Sequence, residues 1–225
     1  MSRRIACFID GFNLYHSLAA TQERHPSLAL KWLDLRSLCR SFAPIVAADG
    51  TLVSVDYFTA IPYHLAPHEP ARVHRHLIYL RALTAQRQPT IHIHEGKISR
   101  QTLVITCDGH TKPWETWREK GTDVALAATV LEYAFHDTYD DAVIVSGDTD
   151  YAPLVSTFSR LYPNKTLRFA LPFLRESREL RTVAPFSFVL SIQSYLSNQL
   201  SAAVRLPSGK QVHCPREWLS KPNLG

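Results

Sequence analysis

Glycine is scarce in this 225-residue chain, with eight in all, and none forms the GxxxxGK arrangement whose backbone cradles a nucleotide phosphate. Cysteine is scarcer still. Cys7, Cys39, Cys107 and Cys214 lie far apart with no CxxC pair, so neither a zinc site nor a disulfide framework is expected. Cys7 and Cys39 fall in apolar patterns, where a reduced thiol acts as a small hydrophobe. No apolar run approaches the roughly 18 residues of a membrane span. The opening "MSRRIACFIDGFN" breaks off at Asp10, too early for a secretory h-region. A soluble, cytoplasmic protein without a membrane partner is the expectation. Eleven histidines show no H-E-x-x-H pattern and no cysteine partners, which argues against zinc for His64, His68, His74 and His76.

What is present is a core-forming composition, 45% hydrophobic, on a chain of moderately basic charge. Setting aside Asp10, Asp123, Asp148 and Asp150 leaves 16 acids against 25 bases. A basic body around an acidic spot suits a protein that holds phosphates and acts on them through a cation.

The apolar runs alternate between strand and helix periods. "RRIACFID" reads as a buried strand ending at Asp10, and "GFNLYHSLAA" as the helix after it. A helix capped by Asp34, a strand over "GTLVSVDYFTAI", a long helix from Glu69 to Gln86 and a strand over "PTIHIHEGKI" follow. "QTLVIT" is a candidate hairpin return. The second half repeats the rhythm with a helix over "KGTDVALAATVLEYAFH", a strand over "DAVIVSGD", a helix from Asp150 and a strand over "KTLRFALPF". This alternation predicts an α/β fold with a mostly parallel sheet, helices on both faces and ligands at the C-terminal edge of the strands. Residues 1–185 form the expected domain. Residues 186–225 form a C-terminal helix and tail packed on it, with Trp218 as anchor.

Asp10 and Asp148 end two strands, and Asp123 opens a helix. Asp148 or Asp150 has a local explanation as a helix cap and Asp123 as a macrodipole partner, whereas Asp10, directly after a buried strand and before Gly-Phe-Asn, fits no simple turn motif. Brought together, two such charges about 5 Å apart repel by roughly 3 kcal/mol at an effective dielectric near 20. A hard divalent ion removes that conflict.

"FIDGFN", "KGTDVALA" and "VSGDTDYAPLV", in this order, resemble the NYN domain, a PIN-like nuclease family. The resemblance implies a PIN-like three-layer α/β/α sandwich of strand order 3-2-1-4-5 and metal-dependent cleavage of single-stranded RNA. It implies Asp10, Asp123 and Asp148 as ligands of Mg2+ or Mn2+ and as catalytic residues, with Asp150 as a fourth catalytic acid. Asn13, Ser146 and Thr149 would orient substrate. RNA is the implied partner, and a homodimer stays open. An RNA-binding module of weak turnover is the alternative, and a metal-dependent phosphatase the third. Haloacid-dehalogenase-type phosphatases need a second acid where this chain has Phe12. A Toprim reading leaves Asp123 without a place.

Basic and aromatic residues interleave upstream of Asp123. Lys97, Arg100, Lys112, Arg118 and Lys120 surround Trp114 and Trp117, a set suited to phosphates and stacked bases. The competing reading makes the tryptophans core anchors.

Overall fold

The computed structural model describes residues 2–85, 89–107 and 110–219, with side chains of 105–111 excepted. Gln86, the expected end of the long helix, the side chain of Cys107 and the tail beyond 219 lie outside the described residues.

Six strands form the central sheet in the order β3-β2-β1-β6-β7-β8, with every paired neighbour parallel. They are β1 (Arg4–Asp10), β2 (Thr51–Thr59), β3 (Ile91–Glu95), β6 (Asp141–Val145), β7 (Thr166–Leu171) and β8 (Phe188–Val189). The expected five-strand order differs from this. A sixth short strand extends the β7 edge, and a hairpin intervenes in the chain between β3 and β6. That hairpin joins β4 (Lys97–Cys107) to β5 (His110–Lys120) antiparallel, in a sheet of its own. "QTLVIT" lies within β4. Alternating polarity marks a strand but does not name its partner.

Parallel strands buried on both faces read as continuous apolar runs, and β1 and β6 do so. Along β1, Ile5, Cys7 and Ile9 enter one core, while Ala6 and Phe8 enter the other. The first core packs under α1 (Gly11–Arg24), α2 (Leu35–Val46) and α3 (Pro70–Thr84). The second packs under α4 (Thr122–Phe135), α5 (Ala152–Leu161) and α6 (Arg178–Val183). Helices therefore cover both faces of the sheet. Asp34 caps α2 by accepting from the amides of Arg36 and Ser37.

The chain after residue 185 contributes β8, the short α7 (Ile192–Leu196) and a small hairpin of β9 (Ala203–Arg205) and β10 (Gln211–His213). Tyr195 is buried and shares a hydrogen bond with Ser17 on α1. The Trp32 indole donates to the Ser201 carbonyl, and Trp218 packs against the rings of Trp32 and Tyr79. No helix among the described residues is long and apolar enough to cross a membrane.

Candidate acidic site at the sheet edge

Asp10 ends β1 and caps α1, its Oδ1 accepting from the Asn13 amide at 2.9 Å. Asp10, for which no simple local role was legible in the sequence, does have one as this cap, and it has a second partner as well. Its Oδ2 accepts from the Ser146 hydroxyl at 2.9 Å, from the residue just past β6. Adjacent parallel strands carry both residues to the same edge, since Ile9 lies opposite Val145. Asn13 completes the link, its Oδ1 accepting from the Gly147 amide at 3.0 Å. Gly147 has no room for a side chain, because a Cβ there would overlap the Arg175 carbonyl oxygen.

Asp148 follows. Its amide donates to Ser146 Oγ at 3.1 Å, and its carboxylate caps the 3-10 turn Thr149–Tyr151 by accepting from the Asp150 amide at 3.0 Å. Asp123 sits in the first turn of α4, where Gly121 occupies the N-cap in a left-handed conformation (φ 92°). Such a φ is easy for glycine and costly for other residues. Tyr151 donates its hydroxyl to Asp123 Oδ1 at 2.9 Å, tying α4 to the turn after β6.

The electrostatics report convergence. Burial holds the Asp10 carboxyl up to about 6, against the opposing help of its Asn13 and Ser146 hydrogen bonds, and the charges of Asp123 and Asp148 push the same way. Asp123 is raised by burial and by Glu119, Asp148 and Asp150. Burial also raises the Tyr151 phenol strongly, and Asp10, Asp123 and Asp148 all add to it. The phenol therefore lies within the field of all three carboxylates and stays a hydrogen-bond donor at any ordinary pH.

Of the residues singled out from sequence, Asp10, Asn13, Asp123, Ser146, Asp148 and Asp150 meet in this network. Thr149 stands exposed in the turn without a described side-chain hydrogen bond. Tyr151 and Glu119 were missed. Glu119 Oε1 accepts from the Thr122 amide at 2.9 Å at the start of α4. Its acid three residues before that amide was a legible capping signal. Tyr151 carried none, because its role lies 28 residues away in sequence.

The basic and aromatic set lies on the β4–β5 hairpin, and the pleat divides it. Opposed residues share a face. Lys97 with Lys120, Ser99 with Arg118, Leu103 with Trp114, and Lys112 make one face. Arg100 with Trp117, and Ile98 with Glu119, make the other, where Arg100 is ion-paired to Glu115 and Trp117 stacks on His64 at 4.6 Å. Trp114 and Trp117 are 62% and 46% exposed, which removes the core-anchor reading for both. A spacing of three within a strand puts them on opposite sides, so they do not form one stacking platform. His94 bonds the fully buried Asp56 at 2.8 Å and stacks on Phe58, so it serves the fold and not the hairpin surface.

All-oxygen donors favour hard ions such as magnesium and manganese. Among the described residues, no three His, Cys, Asp or Glu side chains gather closely enough to hold a metal ion by themselves. Magnesium commonly takes one or two carboxylates and keeps water in the rest of its shell, and Asp10, Asp123 and Asp148 are the side chains here that could supply them.

The fold is an α/β domain with a parallel sheet that carries Asp10, Asp123 and Asp148 near its C-terminal edge. The chain belongs to the NYN domain family, whose pattern spans residues 4–189. It is 23% identical to a 6-hydroxy-3-succinoylpyridine 3-monooxygenase of Pseudomonas putida, across 98% of this chain and 77% of that protein. Its fold resembles the crystal structure of a protein of unknown function from Vibrio parahaemolyticus. That likeness has a TM-score of 0.50 at 20% identity and covers 88% of this chain and 97% of the other.

Proposed function

We propose that the protein is a metal-dependent ribonuclease that hydrolyses phosphodiester bonds of single-stranded RNA, cutting within the strand. The observation that carries this reading is the buried Asp10 at the end of β1, bonded to Ser146 just past β6 and lying in the field of Asp123 and Asp148. Acids left crowded in this way are relieved by a cation and serve phosphoryl transfer.

Asp10 with Asp148 or Asp123 would hold Mg2+ or Mn2+, the remaining acids acting through its waters. The ion would supply charge neutralisation at the scissile phosphate and acidify a water for attack. The chain's own residues prepare that step. Ser146 and the Asn13 amide fix the Asp10 oxygens, and Tyr151 fixes Asp123. Asp150, exposed beside Asp148, faces solvent where it can take a proton from an incoming water.

The acid-free face of the hairpin, with Lys97, Lys112, Arg118 and Lys120 around Trp114, would guide the strand by phosphate contacts and one stacked base. The monooxygenase activity in the relative's name is a different chemistry. Phosphodiester hydrolysis is preferred because clustered carboxylates match its needs. The test is incubation of labelled single-stranded RNA with the protein and manganese. Internal cleavage that disappears in Asp10→Asn and Asp148→Asn, both still folded, supports the proposal. RNA binding without products favours a regulatory RNA-binding module, and turnover of a small phosphomonoester favours a phosphatase.

A further inference from the structure

A concavity lies beside the acidic edge. It is a crevice of about 170 Å³ between α1 and α3, floored by the end of β2 and closed by the C-terminal tail. Cavities of about 150 Å³ hold one benzene-sized ring. Its walls are rings. Tyr57 and Tyr79 meet edge-to-face at 88°, Trp218 packs on Tyr79 at 5.9 Å, and Tyr15 stands at the mouth. The Tyr79 hydroxyl is already spent on the Leu33 carbonyl at 2.7 Å, so its ring serves as an apolar wall.

Gly11 makes this shape possible. A Cβ at that position would lie 2.9 Å from the Tyr57 ring and 2.6 Å from the Phe58 carbonyl oxygen. Gly11 lines the crevice and directly follows Asp10, so crevice and acidic site share a wall.

The charge is one-sided. Lys31, Arg72 and Arg75 line the crevice, and among the described lining residues there is no carboxylate. Arg75 is engaged by Glu217 at 2.9 Å, whereas Arg72 meets Glu69 only at 3.7 Å with both side chains about half exposed. Lys31 sits over the Tyr15 ring at 5.5 Å. At the floor, the His76 ring nitrogen and the Thr59 hydroxyl are 3.5 Å apart. Burial holds His76 down to about 4, so the ring is neutral at pH 7 and offers one donor and one acceptor.

Ring-faced walls, two cations at the mouth and a neutral polar floor recognise a specific chemistry. We propose that this crevice is a binding site for a single planar ring bearing an anionic group. The ring lies against Tyr57, Tyr79 and Trp218, and the anion meets Lys31 and Arg72. Such a group has two sources, a nucleotide of a polynucleotide strand or a free aromatic acid. The inference does not depend on phosphodiester cleavage.

The test uses the full chain and calorimetric titration with uridine 5′-monophosphate and with pyridine-3-carboxylate. Uridine, pyridine-3-carboxamide and inorganic phosphate serve as controls, each run with chelator and again with manganese. At least one ring-bearing anion is expected to bind at least about tenfold tighter than its neutral counterpart and than phosphate. Lys31→Gln/Arg72→Gln should erase that margin while keeping the thermal midpoint, since both side chains stand at the mouth. Binding by the nucleotide alone assigns a strand-derived ligand, and binding by the carboxylate alone assigns a free acid. The site is refuted if charged and neutral rings bind alike or phosphate binds as tightly. It is equally refuted if neither anion binds below about 10 mM, or if binding requires manganese.

Discussion

The Ser146 hydroxyl donates to Asp10 Oδ2 at 2.9 Å, joining the end of β6 to the end of β1. That bond stabilises a carboxylate which burial and two neighbouring acids oppose. Ser146→Ala is therefore expected to destabilise the protein at pH 7.5, by about 1.5–3 kcal/mol for a hydrogen bond to a charged group. At pH 4, where Asp10 is protonated, the loss should shrink. Equal losses in urea titrations at both pH values would contradict this account.

Asp10→Asn is expected to do the reverse for stability and to remove cleavage. A carboxyl held near 6 instead of its ordinary value of 3.8 favours the folded state at low pH and loses that advantage as pH rises through about 4 to 6. Replacing it with a neutral amide should raise stability at pH 7.5 by roughly 2 kcal/mol. Thermal melts in metal-free buffer at pH 4 and pH 7.5 read the difference, which belongs to the higher pH.

Added manganese should raise the thermal midpoint of the unmodified protein. At about one hundred times the dissociation constant, linkage gives about 2.7 kcal/mol. Asp10→Asn and Asp148→Asn should lose most of that gain. This measurement needs no RNA, and an unchanged midpoint at saturating manganese would remove the metal from the reading.

His76 has the opposite sign to Asp10. Its folded value, lowered to about 4 by burial, lies below the ordinary 6.5, so the unfolded chain takes up the proton first as pH falls. Stability should therefore drain away between about 6.5 and 4, by on the order of 2 kcal/mol. His76→Gln should remove that loss, so that between pH 6.5 and pH 4 the variant gains stability relative to the unmodified chain, and paired denaturation series across the window read the difference.

The pleat of the hairpin makes a contrast that composition does not. Arg118→Gln, on the acid-free face, is expected to weaken RNA binding and reduce the salt slope by about 0.7–1. Arg100→Gln, paired with Glu115 on the opposite face, should leave both nearly unchanged. Filter binding at several salt concentrations distinguishes them.

Much of the molecule was legible along the chain. "RRIACFID" and "DAVIVSGD" are apolar throughout because β1 and β6 are buried on both faces. The acids that end them stand where a buried run must meet solvent or ligand. Asp34 announced its helix because a cap is local chemistry. The partner of β4, the added β8 and the depth of Asp10 were not legible, because each depends on segments distant in sequence. Trp114 and Trp117 looked like one platform until their strand assignment placed them on opposite faces.

By itself, the order of polar and apolar residues determined which segments are strands and helices, and which carboxylates fall at strand ends, because burial period and capping act over a few residues. Only the folded chain decided that Tyr151 reaches Asp123, that Ser146 reaches Asp10, and that Trp218, near the other end of the chain, closes a crevice walled by Gly11. Those contacts arise from the parallel register and the packing of helices on the sheet, which no short stretch of sequence contains.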